Sequence, residues 1–206
     1  MALVKYNNNS LSAITSTGLT AGAMTLIKEQ TASSSATISF VDGTSDVDLD
    51  ATYPIYLFKF INVHPATDDT HLTFQANAVG GSGYNETITS TSFISYHNEG
   101  DSATGLGYQA SRDQAQGTSF EIVGQEAGND NDQCINGELW LFGISSTTYV
   151  KHFLININLN NYSDYSYQIL KGGYFNTTSA LDDFQFKMSS GNIDAGTIKL
   201  YGIKDS

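Results

Sequence analysis

The sequence predicts an all-β fold, an antiparallel β-sandwich of jelly-roll-like type, with an extended N-terminal arm in front of it. Three observations carry the expectation. Apolar and polar residues alternate with a period of two in many short segments. β-Branched and aromatic residues are abundant, and they suit a pleated, half-buried surface. Turn-forming residues separate the segments, and no convincing amphipathic helix interrupts them, which favours a sandwich or barrel.

Residues 1–22 stand apart. Leu3, Val4, Tyr6, Leu11, Ile14 and Leu19 are spread among Asn, Ser, Thr, Gly and Ala with no dominant period. That is the pattern of an arm ordered only against something else, and these six residues are its candidate contacts. A disordered tail is the alternative. The sandwich is expected over 23–206. Its first strands fall at Met24 to Lys28 and Thr37 to Val41. Ile55 to Ile61 (IYLFKFI) and Leu139 to Phe142 (LWLF) are apolar on both faces and predict central strands covered on both sides. Leu72, Phe74 and Ala76 alternate with Thr73, Gln75 and Asn77. Thr91 to Tyr96 and Phe120 to Val123 follow. Phe153, Ile155 and Ile157 alternate with Leu154, Asn156 and Asn158, and Tyr165 to Leu170 comes next. Phe184, Phe186 and Met188 alternate with Gln185 and Lys187; Ile198 and Leu200 alternate with Lys199 and Tyr201. Two polar connections, 79–88 and 98–118, are long enough to suggest contact-making loops. Gly105 and Gly107 favour a loop over a helical turn within Ala103 to Gln116.

At 206 residues one domain is expected. A chain of this size buries about 70% of the surface its unfolded form exposes, so it needs no covalent staple. Cys134 is the single cysteine, as in a protein made in a reducing cytoplasm. The opening MALVKYNNNS lacks the apolar core of a signal peptide, and no apolar run approaches the ~20 residues of a membrane helix. The sequons at Asn8, Asn85, Asn161 and Asn176 are then expected to carry no glycan. Formal charge is −12, Arg112 is the sole arginine, and the eight lysines are scattered. Phosphate neutralisation needs clustered cations, so nucleic acid and anionic membranes are disfavoured as partners.

No catalytic motif emerges. His64, His71, His97 and His152 have no metal-ligand spacing, and there is no nucleophile elbow or phosphate loop. A nucleophile pair of Cys134 with a histidine is formally possible and unsupported. Asp46, Asp48 and Asp50 alternate with Val47 and Leu49, so a strand would put all three on one face as a calcium candidate. The segment lacks the turn glycine and distal Glu of an EF-hand loop, and a solvated acidic edge explains it as well. Asp68 with Asp69, and Asp130 with Asp132, form further acidic pairs. No cofactor is implied. Tyr162, Tyr165, Tyr167 and Tyr174 lie close in sequence, as a sugar platform or as strand packing.

Four stretches carry a resemblance: TLIKEQTASSSATISFVDG (25–43), YPIYLFKFINVHPATDD (53–69), GELWLFGISSTTYVKHF (137–153) and FKMSSGNIDAGTIKLYGIKDS (186–206). They resemble virion structural proteins of tailed bacteriophages of aquatic bacteria, of cyanophage and pelagiphage type. The resemblance implies a phage particle component of β-sandwich type and assigns no functional residue; with the absence of a catalytic motif and the lone cysteine, a non-enzymatic virion protein assembled in the host cytoplasm is expected. With the arm and the acidic charge, it leads to the expectation of a capsid decoration protein. The arm would bind the major capsid protein or another virion protein, and the chain would pair with itself as a trimer or other homo-oligomer. The alternative is a tail or fibre protein whose sandwich binds a host surface glycan.

Overall fold

The structure, a computed structural model, describes residues 23–204. The expected arm and its contacts Leu3, Val4, Tyr6, Leu11, Ile14 and Leu19 lie outside the described residues. The rest is all-β: β1 (Met24–Thr31), β2 (Ile38–Val41), β3 (Ile55–Pro65), β4 (Thr70–Ala78), β5 (Ile88–Asn98), β6 (Thr104–Tyr108), β7 (Ala115–Gly117), β8 (Glu121–Ala127), β9 (Ile135–Phe142), β10 (Lys151–Asn160), β11 (Tyr165–Phe175), β12 (Leu181–Met188) and β13 (Ile193–Ile203). Every segment expected from alternation overlaps a strand. The connection 98–118 is a correction. It holds β6 and β7, which both pair with β5, β6 along Phe93–His97 and β7 at Ile88 and Thr89. Ladder pairing with β5 overrides the weak strand propensity of the glycines in TGLGY.

Two antiparallel sheets result, with orders β1-β13-β3-β9-β10-β11-β5-β6 and β2-β12-β4-β8. The chain passes from β1 to β2, from β3 to β4, from β8 to β9 and from β12 to β13, changing sheet each time. The remaining strands enter as two insertions, β5–β7 between β4 and β8, and β10–β11 between β9 and β12. Both add to the large sheet on its β9 side.

The core lies between the sheets and is rich in phenylalanine. Phe186 of β12 meets Phe58 at 4.9 Å, Phe60 at 5.4 Å and Phe40 at 6.2 Å between ring centroids, all edge-to-face. Phe74 of β4 meets Phe153 at 5.4 Å and Phe175 at 5.8 Å in the same way. Such pairs prefer edge-to-face geometry because the ring edge is positive and its face negative. One backbone position is tightly constrained. Gly137 of β9 has φ +144°, and a Cβ there would stand 2.2 Å from the Asn156 carbonyl oxygen.

The two doubly apolar segments do lie side by side at the centre, as β3 and β9. Cover on both sides is not what the described residues show. One face, with Tyr56, Phe58, Phe60, Leu139 and Leu141, is in the core. The opposite face has no third layer among the described residues; Ile61 on it is 39% exposed.

Candidate functional site

That outer face is the most unusual surface of the molecule. Antiparallel sheets with one solvated face normally carry polar residues there. Register pairing aligns outward residues from seven strands into rows. One row runs Leu26, Tyr201, Leu57, Trp140, Leu154, Gly172 and Thr91. The next, two residues along each strand, runs Met24, Ile203, Ile55, Phe142, His152, Tyr174 and Thr89. On the other side, Glu29, Lys199, Lys59 and Glu138 lead through Asn156 to Leu170, Phe93 and Tyr108.

Burial along the rows is graded. Leu57 is 1% exposed, flanked in register by Tyr201 and Trp140. Leu154, Leu170, Phe93 and Tyr108 are each about half exposed. Gly172 leaves a notch: the space a Cβ would take touches only Leu154 Cδ2, at 3.4 Å. Around it a shallow groove of about 390 Å³ opens, lined by Trp140, Leu154, Leu170, Phe93 and the stem of Glu138. Contiguous exposed apolar surface of this kind marks interaction sites in soluble proteins. The charges on the three rows balance, two lysines against two glutamates, with Lys199 paired to Glu29 at 2.7 Å. In a chain of charge −12 this face is neutral.

Two ionic clusters lie on the inner side of the large sheet. Lys171 Nζ donates to Glu121 Oε1 at 2.6 Å, with the side chains 1% and 0% exposed. The other carboxylate oxygen accepts from Ser90 Oγ and Gln114 Nε2, both at 3.0 Å. Desolvation lowers the Lys171 pKa, opposed by the Glu121 charge. Nearby, Arg112 Nη2 donates to Glu126 Oε1 at 2.6 Å. Both ring nitrogens of His71 face donors, the Glu126 amide at 2.9 Å and Arg112 Nη1 at 3.0 Å. Burial, then the Arg112 charge, push the His71 pKa below its ordinary value. Tyr167, whose hydroxyl donates to Glu126 Oε2 at 3.3 Å, is pushed up to about 12, first by burial and then by that carboxylate. Within each cluster the charges are paired, Lys171 with Glu121 fully buried and Arg112 with Glu126 half-buried, so both read as braces of the fold.

A polar cavity of about 470 Å³ brings Cys134, His64, Asp132 and Asp194 together. Its geometry does not make a nucleophile pair. His64 points one ring nitrogen at the Asp130 carbonyl (3.2 Å) and the other at Asp194 (3.8 Å). Cys134 Sγ accepts instead from Asn136 Nδ2 at 3.1 Å.

Asp46, Asp48 and Asp50 lie in a turn and not on a strand. Asp46 is left-handed, at φ +63°. The alternation nevertheless holds in burial: Val47 and Leu49 are in the core and the three aspartates are exposed. Asp50 is occupied locally, accepting from the Thr52 amide (2.8 Å) and hydroxyl (3.0 Å). Among the described residues no three His, Cys, Asp or Glu side chains are grouped to hold a metal ion. The tyrosines separate by strand parity. Tyr165 and Tyr167 pack with Tyr96 at 5.8 and 6.2 Å, whereas Tyr174 stands on the outer face beside His152.

Sequence reasoning missed the outer face. The available signal was the apolar residues in the outward register: Leu57, Trp140, Leu154 and Leu170. Comparison with protein-family models, with curated proteins and with solved structures gives no match.

Proposed function

We propose that the chain is a non-enzymatic structural component of a virus particle, a capsid decoration protein that stabilises the shell. The observation that carries the reading is the apolar, charge-balanced outer face, which is suited to assembly and to no chemistry. Two further points support it. Strands β1, β13, β3 and β9 against β2, β12, β4 and β8 follow the strand order of an eight-stranded jelly roll, an architecture common in capsid proteins and also in lectins. Fold alone does not assign function, so this order is supporting only. The four stretches that resemble phage virion proteins agree with it.

In this reading the domain sits on the exterior of the shell, with the major capsid protein as partner. Residues 2–22 staple it there through Leu3, Val4, Tyr6, Leu11, Ile14 and Leu19. The test is co-sedimentation of the full-length protein with undecorated capsids. Binding in hundreds of copies, lost on deletion of residues 2–22, is the expected result; unchanged binding by the deletion sinks the stapling role. The second reading, a tail or fibre protein, has the aromatic groove at Trp140 and Phe93 in its favour, since sugars stack on aromatic faces. A glycan array decides that reading, with binding abolished by Trp140→Ala as its signature.

A further inference from the structure

We infer that the outer face of the nine-stranded sheet is the contact between two copies of this chain. The inference deepens the assembly reading above and takes its setting from it. Charge selects the occupant. A body of charge −12 repels its own copy over most of its surface. On this face the local charge is balanced, because Lys59 and Lys199 offset Glu29 and Glu138, so it adds no repulsion of its own. A basic partner would find no acidic patch here. A surface of the same neutral, apolar composition is the matching one, and in a two-fold contact the same patch serves both sides.

Size agrees. Seven strands spaced about 4.8 Å apart, each contributing about five residues, span roughly 30 Å by 17 Å. Two such faces bury on the order of 1,000 Å² together, the threshold for a specific interface. The centre has the make-up of an interface core, with Trp140 and Leu57 flanked by half-exposed Leu154 and Leu170. Gly172 provides a recess into which an apolar side chain of the second copy fits.

Trp140 is the only tryptophan in the chain, so its emission reports this face directly. The experiment is sedimentation velocity on the full-length protein from low to high micromolar concentration, with Trp140 emission read in parallel. Leu154→Glu puts a charge at the centre, and Gly172→Arg fills the recess from a position where a Cβ fits. Circular dichroism checks that each variant is folded. The expected result is a concentration-dependent dimer or higher oligomer in the wild type, with Trp140 emission shifting to the blue as it forms. Either folded variant should associate at least about tenfold more weakly, a change of about 1.4 kcal/mol. A wild type that stays monomeric overturns the inference, as do folded variants that associate like the wild type. So does a monomer in which deletion of residues 2–22 moves Trp140 emission to the red, because the chain's own N-terminal segment would then be the occupant. Capsid binding is measured separately. Association without capsid binding leaves this contact standing and sinks the decoration reading; capsid binding by a strict monomer does the reverse.

Discussion

Lys171 and Glu121 show what a buried ion pair contributes to this fold. Removing one partner leaves the other charged and dry, which costs roughly 3–5 kcal/mol. Glu121→Gln is therefore expected to lower the denaturation midpoint steeply, whereas the double variant Lys171→Met, Glu121→Leu recovers most of the loss; urea unfolding of the two measures it. His71 gives a pH signature. Its pKa lies below the ordinary 6.5 in the folded protein. Below pH 6.5 the unfolded chain binds a proton at this ring that the folded chain refuses, so stability falls as the solution is acidified through that point towards the folded-state value. His71→Gln should flatten that part of the profile of melting temperature against pH, leaving the slope set by the carboxylates. A wild-type profile with the same slope as the variant would show that His71 does not contribute.

At the level of strands, the ladder between β9 and β10 depends on Gly137. A side chain at φ +144°, pressed against the Asn156 carbonyl, is strained, and Gly137→Ala should cost about 1–3 kcal/mol in thermal unfolding. Phe186→Ala, which removes the ring where Phe58, Phe60 and Phe74 meet, should cost about 3–5 kcal/mol. Strands such as β10 and β12 were legible because their period of two survives in sequence. The strands β6 and β7 were not, since β5 supplies what AQG and TGLGY lack on their own. The candidate site was hidden for a different reason. Leu57, Trp140 and Leu154 come from three strands, and only the register places them in one row. Read strand by strand, Leu154 is a single exception to an alternating pattern; read across the sheet, it belongs to a stripe. The acidic run at Asp46 to Asp50 shows the converse, because its alternation predicted the burial of Val47 and Leu49 while the backbone there is a turn.

For the whole molecule, the distribution of charge governs behaviour more than its sum. The acidic exterior keeps copies apart except across the neutral face. Added salt screens the repulsion and leaves apolar contact intact. Association is thus expected to hold or tighten as salt rises in sedimentation experiments; dissociation by salt would mean that ion pairs hold the contact. The placement of the two insertions carries a geometric consequence. Both widen the large sheet from the same flank, and neither adds to the four-stranded sheet opposite. Each added pair of strands lengthens the outer surface by about 10 Å. The footprint that the molecule offers can therefore grow or shrink laterally, one hairpin at a time, and the β10–β11 hairpin also extends the interior with it, by bringing Phe153 and Phe175 against Phe74.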